Sequence, residues 1–192
     1  MSDAADFSSF LKTDPAITAI NFQFAKHKVY PSGYRTDIAD LVASGKIGIK
    51  RRFSDIGMTD TGASYMPDAD HFSIPRGFDI TQDVPKLLFV HEATHALMDW
   101  QKVGTIPTAD SEAIAYLAKA IFVRTKGWAP LAGRAGAPPP PLRVEAYRVA
   151  GIVVGGAYAV PAGDIAALVT AGRATPLYAG KITSFTKYDG IR

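Results

Sequence analysis

Wound as a helix, residues 87–101 are apolar in almost every direction. A helix that is hydrophobic nearly all round has to be enclosed by the rest of the chain, so the fold must be built around this segment. One narrow sector breaks the pattern and carries His91, His95, Asp99 and Glu92. Burying such groups without partners costs several kcal/mol, on the order of a whole domain's net stability. The histidines belong to His91-Glu92-Ala93-Thr94-His95, the pattern His-Glu-x-x-His. Two imidazoles four positions apart project from one helical face and grip a single metal ion. Glu92 sits about 100° round the helix, placed to act on water activated by that ion. The competing expectation is a buried helix with two satisfied core histidines and no metal.

The chain has 192 residues, 47% of them hydrophobic, enough for one well-cored domain. It contains no cysteine. Disulfide scaffolds and thiolate metal sites are therefore excluded, and a zinc site has to use imidazole and carboxylate. The formal charge is +3, and Lys50-Arg51-Arg52 is the one cationic run. No aromatic ladder interleaves it, which reads as a solvated strand end rather than a nucleic-acid patch. The first residues are acidic, without the apolar stretch of a secretory signal. Residues 149–160 form the longest apolar run, which contains three glycines and is too short to span a bilayer. The expectation is a soluble protein with no nucleic-acid partner and no membrane span. Its location is open between the cytoplasm and export by a signal-independent route.

Read in order, residues 3–12 suggest a helix with Phe7, Phe10 and Leu11 on one side. Asp14-Pro15 starts a second, with Ile17, Ile20 and Phe24 at helical spacing up to Lys28. A short helix follows from Thr36 to Val42, stopped by Gly45. Residues 47–53 alternate as a strand, and residues 63–66 and 71–74 read as a hairpin around Pro67-Asp-Ala-Asp70. Asp83 and Pro85 open the apolar helix, residues 102–107 are a loop, and residues 108–125 form a second largely apolar helix. Residues 131–141, with four consecutive prolines, are a crossover; the segment 143–192 reads as largely helical, with weak strand signals at 181–185. The fold class is α+β: a single small domain over residues 1–192, mainly helical, with its core at about 47–128 and a short antiparallel sheet preceding the metal-binding helix.

Two histidines do not complete a catalytic zinc site, which takes three protein ligands plus water. The remaining histidines, His27 and His71, stand at no suitable spacing, and Met98 occupies the glycine position of a His-x-x-Gly-x-x-His extension. The third ligand is expected to be a carboxylate on a later element. Glu112, heading the second apolar helix, is the first choice; Asp110 is second, followed by Asp99 and Glu145. Asp99 has two further readings, orienting an imidazole or lying solvated at the helix end. Tyr116, His71 and Tyr65 are candidates for stabilising an oxyanion.

His91-Glu92-x-x-His95 followed by Glu112-Ala-Ile-Ala resembles the gluzincin branch of the zincin metallopeptidases, over roughly residues 63–125. A weaker resemblance to the aspzincins runs through Gly104-Thr105 and Asp110, with Pro107 standing where their aspartate should be. The gluzincin resemblance implies a zincin-like fold, with His91, His95 and Glu112 as Zn2+ ligands and Glu92 as general base in hydrolysis of a peptide bond. It also implies a strand ahead of the helix, here residues 71–74, whose edge aligns a peptide substrate. The alternative function is a zincin-like regulatory or interaction domain that binds metal with little or no peptidase activity. No motif specifies the substrate or the oligomeric state.

Overall fold

The computed structural model describes residues 3–52, 62–129, 138–176 and 184–191. The chain is α+β. α1 (Asp3–Thr13) buries Phe7, Phe10 and Leu11, as its spacing predicts. Asp14 then caps a single 3-10 turn, Pro15–Ala19, its carboxylate accepting from the Ala16 N–H at 3.0 Å. The helix expected to continue to Lys28 is absent. In its place β1 (Phe22–Phe24) and β2 (His27–Val29) form an antiparallel hairpin that turns at Ala25, φ +53°. Phe22, Phe24 and Val29 are buried by alternation, and Ile17 and Ile20 are buried as well. Helical spacing and period-two burial share several positions in so short a stretch, and long-range packing decided between them. A wide helical turn, Gly33–Ile38, runs into α2 (Ala39–Ala43), so helix begins ahead of Thr36, and Gly45 at φ +76° ends it.

β3 (Gly48–Arg52), β4 (Ser64–Met66) and β5 (His71–Pro75) make one sheet in the order β3-β5-β4. The expected hairpin is there, with Tyr65 opposite Phe72. The sheet is mixed, however, and not antiparallel throughout, because β3 runs parallel to β5. The hairpin occupies one edge of β5, and the chain crosses over to leave β3 on the other. Alternation identifies a strand but carries no information about the direction of its neighbour.

α3 (Asp83–Trp100) buries every residue from Phe89 to Asp99. α1, β5 and α3 meet at Phe89, whose ring lies 4.4 Å from Phe7 and 4.8 Å from Phe72. Thr94, inside the histidine motif, is tied to the Gly33–Ile38 turn by a 2.7 Å hydrogen bond with the Tyr34 hydroxyl. α4 (Thr108–Thr125) packs on α3, and α5 (Pro141–Val154) and α6 (Ala162–Ala174) pack on α4. Residues 131–137 of the anticipated crossover lie outside the described residues, as do Phe53 and residues 181–183. One expectation fails near the C-terminal end: the supposed loop before α4 contains β6 (Gly104–Pro107), which pairs antiparallel with β7 (Phe185–Tyr188), a strand that begins where the weak strand signals of 181–185 end. No helix among the described residues is long and apolar enough to cross a membrane.

Candidate metal centre

α3 and α4 bring three donors together. His91 and His95 stand one turn apart on α3, their Nε2 atoms 3.2 Å from each other. Glu112, in the second turn of α4, places Oε2 3.3 Å from His91 Nε2 and Oε1 3.7 Å from His95 Nε2. One donor atom from each of the three residues lies within 4.8 Å of the other two. Four-coordinate zinc with bonds of 2.0–2.2 Å spaces its donors by roughly 3.3 Å, so these separations suit one ion. The chemistry agrees with the spacing. Burial pushes His95 down to about 4, Glu112 opposing and His91 reinforcing the shift, so the ring is neutral at pH 7. In the tautomer with its lone pair on Nε2, a neutral imidazole facing a buried carboxylate is repelled by it, and a cation held between them would relieve that repulsion. His91 Nδ1 is itself buried with no hydrogen-bond partner among the described residues.

Glu112 is thus the carboxylate that the fold delivers. Asp110 is elsewhere, half-buried near Arg173 and His27, with burial raising its pKa. Glu145 pairs with Arg148. Asp99 is fully buried, neither solvated at a helix end nor on an imidazole. It accepts from the Tyr65 hydroxyl at 2.8 Å and from the Gly190 N–H at 2.9 Å.

Glu92 stands beside the trio, Oε1 3.9 Å from His91 Nε2. Its other oxygen accepts the backbone N–H of Tyr65 on β4 at 2.7 Å, which fixes the carboxylate plane. Burial pushes its pKa up to about 7; the His91 charge opposes this, the Glu112 charge adds to it, and the Tyr65 N–H and Lys119 oppose it. A carboxyl poised near neutrality can both take and return a proton.

The three oxyanion candidates fare unequally. Tyr65 lines the cleft, but its hydroxyl is committed to Asp99, and burial holds the phenol protonated. The Tyr116 ring packs edge-on to His91 at 4.9 Å and under Lys119 Nζ at 4.9 Å, away from the cleft wall. His71 is on the central strand, its Nδ1 3.1 Å from the Ala69 carbonyl, and does not line the cleft.

The residues that orient the site on its other side carry no sequence signal. Tyr188, on β7 and almost fully buried, puts its hydroxyl 2.8 Å from His95 Nδ1. Ser111, just ahead of Glu112, lies 3.1 Å from the same nitrogen and 2.6 Å from the Tyr188 hydroxyl. When Nδ1–H donates to either hydroxyl oxygen, the Nε2 lone pair is left to face the other donors. The segment holding Tyr188 is stitched to α4 by the Thr108 N–H on the Ser184 carbonyl at 3.0 Å. Between β4 and the Ser184–Tyr188 stretch opens a cleft of about 520 Å³ with His91, Glu92, His95 and Glu112 in its lining. No protein-family profile, no curated protein and no solved structure matches this chain.

Proposed function

We propose that the protein is a zinc-dependent peptidase of the zincin kind, in which His91, His95 and Glu112 hold the ion and Glu92 is the general base. The observation that carries this reading is the convergence of three donors with Glu92 fixed beside them on the lining of a cleft. A bound zinc ion supplies Lewis acidity, polarising a carbonyl and making water acidic enough to lose a proton near pH 7. Glu92 Oε1 takes that proton and returns it to the leaving amine, while the Tyr65 N–H keeps Oε2 in place. Tyr188 and Ser111 hold the His95 ring in the donor orientation.

The strand that aligns the substrate is reassigned within this reading. Residues 71–74 lie in β5, which has a neighbour on each side. Among the described residues β4 is an edge strand, as β3 is, and β4 is the one that lines the cleft. In an antiparallel pair one residue's N–H and C=O point to the same side, so the Tyr65 carbonyl faces outward with the N–H that Glu92 uses.

A non-catalytic interaction domain would be favoured by a cleft filled with the C-terminal segment. Among the described residues β7 forms a wall of the cleft. The test is metal titration and peptide hydrolysis with wild-type protein and Glu92→Gln. Wild type is expected to bind one zinc, with a metal-dependent gain of roughly 2.7 kcal/mol in stability at a hundredfold excess over Kd. Glu92→Gln should keep the zinc and lose about 10²–10⁴-fold in kcat. Wild-type turnover by Glu92→Gln would sink the mechanism, and failure to bind zinc would sink the site.

A further inference from the structure

The cleft walls differ in character from the rest of the surface. The protein carries a net charge of +3, yet no lysine or arginine lines the cleft among the described residues. Its acidic groups there are Glu92 and Glu112, whose two negative charges a divalent cation would balance. The walls also carry hydroxyls, from Ser64 and from Thr108, Ser184 and Thr186, which hydrogen-bond to one another, and two exposed apolar side chains. Met66 on β4 is 44% exposed and Phe185 on β7 is 66% exposed. Large apolar side chains left open inside a concave surface gain when a ligand covers them. Once a cation balances Glu92 and Glu112, a charged side chain covering Met66 or Phe185 would shed water and meet no countercharge among the described lining residues.

We infer that the cleft takes an extended, uncharged stretch of peptide, with aliphatic or aromatic side chains next to the scissile bond packing against Met66 and Phe185. This substrate class rests on the hydrolytic reading of the same site. A backbone N–H of the peptide meets the Tyr65 carbonyl on the outer edge of β4, whose own N–H Glu92 holds, and the peptide's side chains supply the apolar surface. Selectivity arises because an apolar wall rejects charge, whereas β4, pairing through its backbone, accepts most sequences.

The experiment compares quenched-fluorescence peptides that differ only at the residues flanking the cleaved bond, on the zinc-loaded protein. Phe, Leu or Met peptides should exceed their Asp, Glu and Lys counterparts in kcat/KM by about tenfold or more. Phe185→Asp should lower the Phe peptide by about tenfold and raise the Lys peptide relative to it; Met66→Lys should shift the balance towards acidic peptides. Both side chains are exposed, so the fold tolerates the changes, and melting temperature checks this. Equal turnover of charged and apolar peptides, or variants that scale every peptide by one factor, would overturn the substrate class. A parallel arm measures anisotropy of the same peptides on zinc-loaded Glu92→Gln. Selective binding there with no wild-type hydrolysis defeats the peptidase reading and leaves the substrate class standing. Hydrolysis without selectivity defeats the class alone, and neither selective binding nor hydrolysis defeats both.

Discussion

α3 and α4 present the donors, while β4 and the β7 segment hold them in position. The helical half comes from one stretch of chain, residues 91–112, and its geometry follows from helical spacing and a short connection. The strand half comes from either side of that stretch: Tyr65 fixes Glu92 from one flank, and Tyr188 fixes His95 from the other. Asp99 joins the two halves, since it accepts from Tyr65 on β4 and from Gly190 just beyond β7. A helix brings donors within reach of one ion, but each donor also needs a partner on its far side, and here strands provide it.

The largest effect should follow from breaking the helical half. His95→Ala is expected to weaken zinc binding by more than 10²-fold, beyond the 10–100-fold range of outer partners. Competition with a chromophoric chelator reads this, and wild-type affinity would remove His95 from the donor set. Next comes Asp99→Ala, which strands the buried Tyr65 hydroxyl and Gly190 N–H together. A loss of about 3 kcal/mol is expected in urea unfolding of the metal-free protein, with Asp99→Asn costing less. A change under about 0.5 kcal/mol would show that Asp99 does not join the halves.

Tyr188→Phe tests the strand half more finely. It deletes one hydroxyl and leaves Ser111 on His95 Nδ1, so zinc affinity should fall by about tenfold, with most of the fold's stability kept. The double variant with Ser111→Ala should fall further, and no change in either would confine orientation to the helices. The smallest effect concerns Lys119, buried in α4 and brought down to about 8 by burial first and Arg143 second. Its folded pKa lies below the unfolded one, so the unfolded chain binds the proton more tightly between about pH 8 and 10.5. Stability of the metal-free protein should therefore rise with pH from about 8 to 9.5, and Lys119→Met should flatten that rise. An unchanged slope in the variant would assign the rise to other groups.

Where sequence reasoning succeeded and failed follows the range of the interactions involved. α1, α3 and α4 announced themselves because each presents an apolar face, or nearly a whole apolar surface, over many turns. Residues 15–28 misled because a few apolar positions suit a helix or a hairpin equally, and contacts with the Tyr158–Val160 backbone stabilise the strand form. The β4–β5 hairpin showed in its turn residues, but nothing local revealed that β4 would take the edge and β3 the parallel place.

By itself the sequence determined that two imidazoles share one face of an enclosed helix with a glutamate about 100° round from them, and that Glu112 heads the next helix. Spacing along a helix is a local property, and the apolar surroundings guarantee burial. Only the tertiary structure decided that Glu112 closes the trio in preference to Asp110, Asp99 or Glu145, and that Asp99 is a buried knot. The same holds for Tyr188 from the far end of the chain on His95 Nδ1. Those outcomes depend on which strand edges meet and where side chains distant in sequence come to rest, and neither leaves a periodic trace in the chain.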